Sequence, residues 1–180
     1  MANGYRPEIV QHAFVDFIGS RLHPFWSLTT PKLRLIARYE MSEDLIALQF
    51  ETNQAFRQQI SKGTDDWQGG QYLDLRVFID GVYHQRSYSI VGLANQPLWW
   101  QDDAVITKSA KSQRHTVTIA VKPQGLVSDY LTKQMPLASV VDTSVPLGSF
   151  TLAKTNLDNR EPDNQKLNPL LFVAGGSGIT

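Results

Sequence analysis

Apolar side chains recur along the chain at two spacings, one typical of a helix and one typical of strands. Over residues 7–22 they come at steps of three and four, which predicts an amphipathic helix with Pro7 in its first turn. We expect its apolar stripe to pack on a neighbouring element or domain. Contact with a membrane surface or a partner protein is the less favoured alternative, because the polar face is not rich in lysine.

After Thr30-Pro31 the pattern changes to short runs rich in β formers. We predict six strands, at residues 33–41, 45–51, 72–79, 82–91, 115–122 and 139–145. A helical turn is expected at residues 56–60, and a short helix capped by Ser128 is expected to end near Pro136. Short strands, frequent turn signals and one intervening helix predict a small closed antiparallel barrel.

The clearest turn lies at residues 80–81, where Asp-Gly separates two runs of β formers. On the returning strand alternate residues share a face, so Arg86 and Tyr88 face one way and Ser87 and Ser89 the other. A guanidinium matches a phosphate, an aromatic ring can lie against a heterocycle, and a hydroxyl can bond a ring heteroatom. This strand is therefore a candidate site for a flat, charged ligand.

Composition excludes several other kinds of site. The chain is 42% apolar and 19% charged, and its 17 basic and 17 acidic residues balance, so no basic excess indicates a nucleic-acid partner. Because cysteine is absent, the chain can hold neither a disulfide nor an iron–sulfur cluster of its own, and the four histidines show no metal-ligand spacing. No apolar run reaches the length of a membrane span and no signal peptide is recognisable, so we expect a cytoplasmic protein without a metal site.

A second candidate element occupies residues 121–128. Gly125 permits a tight turn before the predicted short helix, and a helix N-terminus presents unpaired N–H groups and a positive dipole end that suit a phosphate. Arg86 would add charge from another strand. The carboxylate of Asp129 would repel a pyrophosphate, so we expect its side chain to turn outward.

Ordered motifs over about residues 31–180 resemble the ferredoxin-NAD(P) reductase family. They are Arg86-x-Tyr88-Ser89, the turn at 121–128, Pro146-Leu147-Gly148-Ser149-Phe150, and Gly-Gly-Ser-Gly-Ile-Thr at 175–180 after a buried apolar run. Residues 69–72 resemble the family's Pro-Gly-Gln-Tyr with Gly69 in place of Pro, and Val145 stands where the barrel-closing motif begins with Gly.

The resemblance implies a mainly β fold with four parts. These are an N-terminal helical extension at residues 1–30, an FAD-binding six-stranded antiparallel Greek-key β-barrel at 31–153, a linker at 154–169, and at 170–180 the first strand of an α/β NAD(P)-binding domain. Since only the start of that domain is present, this chain alone is expected to be incomplete for NAD(P)H oxidation.

The resemblance also implies roles for individual residues. Arg86 would clamp the flavin phosphates, Tyr88 would lie against the ribityl chain and isoalloxazine, and Ser89 would sit near flavin N5. Ser89 and Thr180, at the flavin–nicotinamide contact, are the implied catalytic residues. The implied cofactor-binding residues are Arg86, Ser87, Tyr88, Ser89, Ala120, Val121, Lys122, Gly125, Leu126, Val127, Ser128, Gly176, Gly178 and Thr180.

The activity implied by the resemblance is that of an NAD(P)H-dependent flavoprotein oxidoreductase. Hydride would pass from NAD(P)H to FAD, with FMN as the less favoured flavin. Electrons would then reach a ferredoxin-type iron–sulfur acceptor, which could serve an oxygenase or a fatty-acyl desaturase. Any [2Fe-2S] cluster would lie in a further domain or a partner. A barrel that binds or interacts without a flavin is the alternative.

Overall fold

A computed structural model describes residues 7–61, 67–92, 116–149 and 151. Helix α1 spans Pro7–Leu22 and precedes an antiparallel barrel. The strands are β1 Lys32–Ser42, β2 Leu45–Thr52, β3 Tyr72–Ile79, β4 Val82–Val91, β5 Thr116–Val121 and β6 Val140–Thr143. Helix α2 covers Gln54–Ser61, and the short helix α3, Leu126–Asp129, continues as a π-helical turn over Tyr130–Gln134.

The six strands close into a barrel in the order β1-β2-β5-β4-β3-β6. Every neighbouring pair is antiparallel, and β1 completes the ring by pairing with β6 as well as with β2. Because β5 lies between β2 and β4, the chain crosses an end of the barrel instead of following the order of the sequence. The predicted closed six-stranded barrel is thus confirmed.

Alternating side chains fill the inside of the barrel. On β3 the residues Leu73, Leu75 and Val77 are buried, while Arg76 and Phe78 face outward. Burying a side chain of this size stabilises the fold by roughly 1.5–3 kcal/mol. The largest side chains of the core, each less than 2% exposed, are Phe50, Phe56, Leu33, Leu35, Leu48, Leu73, Leu75, Ile119, Leu131 and Met135.

The turn between β3 and β4 has the geometry that its sequence predicts. Asp80 and Gly81 have φ angles of 48° and 83°, as a two-residue hairpin turn of the primed type requires. Ile79 pairs with Val82 across this turn, and the register continues to the far end of β4. The turn therefore determines which residues of β4 share a face with the core residues of β3.

Helix α1 lies where it was predicted, but its apolar side chains do not pack as expected. Exposed large apolar side chains on this helix are Val10 (53%), Phe14 (64%), Val15 (41%), Phe17 (55%), Ile18 (42%) and Leu22 (80%). The prediction that the stripe packs on another element is therefore wrong within the part of the chain that the structure describes. The core that the strands enclose lies inside the closed barrel.

A polar contact attaches α1 to the segment that follows it. The carboxylate of Asp16 accepts hydrogen bonds from Ser27 Oγ (2.9 Å), the Leu28 backbone N–H (2.6 Å) and Thr29 Oγ1 (2.5 Å). Desolvation by burial raises the pKa of Asp16, but these hydrogen bonds and the charge of Lys32 outweigh it, so the pKa lies below its usual value.

Several sequence predictions fall outside the described residues. They concern the linker at 154–169 and the start of the nucleotide-binding domain at 170–180. None of the helices in the described ranges combines the length and apolar character needed to span a bilayer.

Candidate functional site

An open cavity of about 430 Å³ lies between β4 and the start of α3. Its volume is within the range of small-molecule sites, about 300–1,000 Å³. Two segments far apart in sequence form its walls. The lining residues are His84, Arg86, Ser87, Tyr88, Lys122, Gln124, Gly125, Leu126, Val127 and Ser128.

Strand β4 forms the first wall, because the side chains on one of its faces lie in the core at one end of the strand and in the cavity further along it. Ile90 on this face is 3% exposed, Tyr88 is half-buried and Arg86 is exposed. The register shows the same face, since Tyr88 lies opposite Leu73 and Arg86 opposite Leu75, both core residues of β3. The predicted common face of Arg86 and Tyr88 is therefore confirmed.

The Arg86 guanidinium is available to a ligand. Its Nη1 donates to the backbone carbonyl of Gln85 (2.7 Å), and no carboxylate among the described residues forms a salt bridge with it. Tyr88 beside it is affected by two opposing influences. Burial raises the pKa of its hydroxyl, the positive charge of Arg86 lowers it by less, and the net effect keeps the phenol neutral.

The two serines of the motif occupy the other face of β4. Ser87 borders the cavity, but its hydroxyl donates to Asp74 Oδ1 (2.5 Å), whose second oxygen accepts from Gln85 Nε2 (3.1 Å). Ser89 is exposed opposite Tyr72 and is not among the lining residues. The structure thus assembles Arg86 and Tyr88 at the cavity and leaves the Ser89 hydroxyl beside it.

The second wall is the turn that enters α3, and here the predicted cap is wrong. Gly125 is the N-cap residue, and Ser128 is the third residue of the helix. The Ser128 hydroxyl accepts from the backbone N–H groups of Gln124 (2.9 Å) and Gly125 (3.0 Å) and donates to the Gly125 carbonyl (3.0 Å). Glycine has no side chain with which to cap, so Ser128 reaches back to the turn, as the third residue of a capping box does.

The first N–H groups of α3 belong to residues that line the cavity. The N–H groups at the start of a helix have no acceptor within it, and they carry the positive end of its dipole. Asp129 does not line the cavity and instead accepts from Lys133 Nζ (2.6 Å). The wall built by Gly125–Ser128 is therefore suited to an anion.

Three residues at the end of β5 were predicted to bind the cofactor, Ala120, Val121 and Lys122, and only Lys122 lines the cavity. Lys122 lines the cavity, and its Nζ lies 2.5 Å from Asp44 Oδ2. The hydrogen bond and the charge of Lys122 lower the pKa of Asp44. Val121 is 0% exposed in the core, so only its backbone can face a cofactor, and Ala120 is half-buried without lining the cavity.

The barrel-closing motif also contacts the third strand. Tyr72 and Leu147 exchange two backbone hydrogen bonds, of 3.0 and 2.9 Å, and the Tyr72 ring packs on Gly148. Gly148 has a φ of +105°, and a Cβ there would lie 3.2 Å from that ring, so the position is suited to glycine. Phe150 lies outside the described residues.

Two lining residues were not predicted as binding residues. His84 shares the face of Arg86 and Tyr88, so the alternation of β4 already contained the signal for it. Gln124 has no comparable signal and reaches the cavity only through the fold of the turn. Gly176, Gly178 and Thr180 lie outside the described residues, and within the described ranges no group of three or more His, Asp or Glu side chains could hold a metal ion.

Comparison with curated proteins finds oxidoreductases. The chain is 28% identical over 159 residues to an NADPH oxidoreductase of Mycobacterium tuberculosis, covering 88% of this chain and 34% of that protein. It is 24% identical over 151 residues to a flavohemoprotein of Pseudomonas putida, covering 84% of this chain and 30% of that protein. The chain thus spans about a third of the length of these relatives.

Among solved structures, the flavohem-like FAD/NAD-binding domain of a nitric oxide dioxygenase from Vibrio cholerae matches with a TM-score of 0.47. The match has 18% sequence identity and covers 70% of this chain and 47% of that one. No family model matches the chain. The curated relatives, an NADPH oxidoreductase and a flavohemoprotein, agree with the resemblance of the ordered motifs to the ferredoxin-NAD(P) reductase family.

Proposed function

We propose that this chain is the flavin-binding barrel of an NAD(P)H-dependent oxidoreductase and that the cavity between β4 and α3 holds FAD. One observation carries the proposal. Arg86, an unpaired cation among the described residues, and the Gly125–Ser128 turn face the same cavity from two elements. Two phosphate-directed groups suit the pyrophosphate of FAD better than the single phosphate of FMN.

Each part of the cavity has a proposed task. Arg86 neutralises phosphate charge through charge-assisted hydrogen bonds, and the N–H groups of residues 126–128 bind the same group without a further charged side chain. The half-buried ring of Tyr88 lies against the ribityl chain and isoalloxazine. Ser89, beside the cavity, lies near flavin N5, and Thr180 makes the contact between flavin and nicotinamide.

The electron path is proposed from the relatives and from the resemblance. The bound flavin would supply the chemistry of accepting a hydride and releasing single electrons, while the protein supplies position and electrostatics. NADPH is named in the mycobacterial relative, and haem is implied by the name flavohemoprotein. We infer a one-electron metalloprotein as acceptor, either an iron–sulfur protein of the ferredoxin type that serves an oxygenase or desaturase, or a haem protein.

The flavin proposal is tested by loading the purified chain with FAD or FMN in excess and removing the free flavin by gel filtration. We expect a yellow protein that retains FAD more tightly than FMN, as extraction and chromatography of the bound flavin would show. A colourless protein after both treatments would contradict the proposal and favour a barrel that binds or interacts without a flavin.

The acceptor is tested separately. The FAD-loaded chain is photoreduced without oxygen and mixed with an oxidised plant-type [2Fe-2S] ferredoxin or with cytochrome c, and absorbance follows the acceptor. Electron transfer faster than from free reduced FAD at the same concentration supports a one-electron acceptor. Rates equal to those of free FAD with both proteins argue against either class.

A further inference from the structure

A second groove of about 430 Å³ lies on the outside of the barrel, where β3, β4 and β6 meet the π-helical turn. It shares no lining residue with the flavin cavity. Arg76 and Phe78 reach it from the outward face of β3, whereas Arg86 and Tyr88 share a face with the core residues of that strand. The residues that line it are Lys32, Arg76, Val77, Phe78, Tyr83, Tyr130, Met135, Ser139, Val140, Val141 and Asp142.

One wall of the groove combines a guanidinium with two aromatic rings. The Arg76 Cζ lies 4.2 Å from the centroid of the Tyr83 ring, and the Tyr83 and Phe78 rings are 4.8 Å apart at an interplanar angle of 52°. Phe78 is 55% and Tyr83 59% exposed. A single exposed ring is unremarkable, but two adjacent rings beside a stacked guanidinium form a surface that can receive a flat apolar group.

The charges in the groove leave one positive charge in excess. Lys32, Asp142 and Arg76 lie opposite one another across β1, β6 and β3, in the order cation, anion, cation. Lys32 Nζ is 3.7 Å from Asp142 Oδ1 and donates to the Pro24 carbonyl (2.9 Å). No carboxylate of the described residues lies within ion-pair distance of Arg76, whose recorded partner is the Tyr83 ring.

We propose that this groove binds a small aromatic carboxylate, with the carboxylate on Arg76 and the aromatic ring against Phe78 and Tyr83. A monoanion matches the single excess charge, whereas a phosphate dianion would bring a second negative charge next to Asp142. The planar guanidinium pairs with a carboxylate through two parallel hydrogen bonds and remains stacked on Tyr83 while it does so. Tyr130, Ser139 and the buried Met135 also line the groove.

Benzoate is the probe, titrated into the whole chain loaded with FAD and followed by amide NMR shifts. We expect saturable binding that shifts the amides around residues 76–83. Benzamide lacks the charge and acetate lacks the ring, so each should bind at least about tenfold more weakly, the value of one charge-assisted contact. Equal binding of benzoate and benzamide, or no saturable benzoate binding, would overturn the proposal.

Three variants locate the site. Arg76→Gln should weaken benzoate about tenfold, as the loss of one charge-assisted contact predicts. Phe78→Thr keeps the charges of the groove and introduces a residue that favours a strand, and it should also weaken benzoate binding. This second variant tests the site if Arg76→Gln does not fold. Arg21→Gln on α1 is the control, because it also removes a guanidinium stacked on an aromatic ring, that of Phe17, but lies outside the groove, and it should leave benzoate binding unchanged. Unchanged affinity in both groove variants, or an equal loss caused by Arg21→Gln, would show that benzoate does not bind in this groove.

Discussion

At the scale of the residue, two arginines on adjacent strands differ in the face of the sheet on which they lie. Arg86 lies on the face of β4 that continues from the core, so it reaches the cavity beside the half-buried Tyr88. Arg76 lies on the outward face of β3, stacked on Tyr83. The same residue type therefore takes part in two different grooves, and the parity of the strand position decides which.

We predict that Arg86→Ala weakens FAD binding by about 1.5–3 kcal/mol, roughly 10- to 150-fold in Kd, because a charge-assisted contact to phosphate is lost. Arg76→Ala is the matched control, since it removes the same type of side chain outside the cavity between β4 and α3. Fluorescence titration of the unloaded proteins gives both dissociation constants. Equal constants for the two variants would contradict the assignment of Arg86.

At the scale of the element, the β3–β4 turn sets the register on which the cavity depends. Gly81 has a φ of +83°, in the left-handed region, and nothing lies within 4 Å of the position its Cβ would take. The cost of a side chain there is therefore backbone strain alone. A shift of this register by one residue would exchange the two faces of β4 and take Arg86 away from the cavity.

We predict that Gly81→Ala lowers the free energy of unfolding by about 1–2 kcal/mol, the cost of a left-handed conformation for an L-residue. Gly69→Ala is the control, because Gly69 also has open space around its Cβ position and is not among the glycines with positive φ. Urea denaturation of both variants measures the difference. An equal loss at the two positions would show that strain at Gly81 is not the cause.

The carboxylate of Asp16 attaches helix α1 to the segment that follows it. We predict that Asp16→Ala loosens this attachment by about 1–3 kcal/mol, since hydrogen bonds to a charged group are lost. Hydrogen exchange of the amides in residues 7–22 should accelerate. Asp129→Ala, which removes an exposed carboxylate paired with Lys133, should leave that exchange unchanged.

The attachment of α1 through Asp16 should also depend on pH, in the direction given by the lowered pKa of Asp16. The pKa of Asp16 is lower in the folded protein than its ordinary value of about 3.9. A depressed carboxyl pKa contributes stability that is fully present above the ordinary value and is lost as the pH falls through the folded-state pKa. The protection that Asp16 gives to the amides of α1 should therefore stay constant near neutral pH and be lost only below about pH 4. Equal acid sensitivity in Asp16→Ala would contradict this.

At the scale of the whole molecule, closure of the barrel supports the cavity from behind. Leu75 is fully buried, lies opposite Arg86 on β4 and opposite Thr143 on β6, and so joins the core to both neighbouring strands. β1 pairs with both of its neighbours, so the described sheet has no open edge. The wall that carries Arg86 is thus fixed by the packing of the core.

We predict that Leu75→Ala lowers the free energy of unfolding by about 2–5 kcal/mol, the range for a buried leucine that leaves a cavity. Leu147→Ala, at a side chain that is 36% exposed, should cost clearly less. Thermal or urea unfolding of the two variants makes the comparison. A smaller loss for Leu75→Ala than for Leu147→Ala would mean that the described core does not support the barrel.

The sequence by itself determined the elements that depend on local chemistry. The positive φ angles tolerated by Asp80 and Gly81 fixed the hairpin, and alternation along β4 placed Arg86 and Tyr88 on one face. Strands β3 and β4 have the predicted bounds for this reason, and β6 is shorter than predicted, at Val140–Thr143. The order of the motifs gave the resemblance to the ferredoxin-NAD(P) reductase family.

Only the tertiary structure determined which segments of the chain pack together. Periodicity identified α1 as amphipathic, but it could not show whether another part of the chain covers the apolar stripe. In the structure, large apolar side chains of α1 are exposed, and the Asp16 carboxylate makes a polar contact with the Leu28 backbone N–H. The strand order and the closure of β1 on β6 come from long-range pairing that no local pattern encodes. Both grooves arise in the same way, because Arg86 meets the 125–128 turn, and Arg76 meets Tyr130, only when segments distant in sequence pack together.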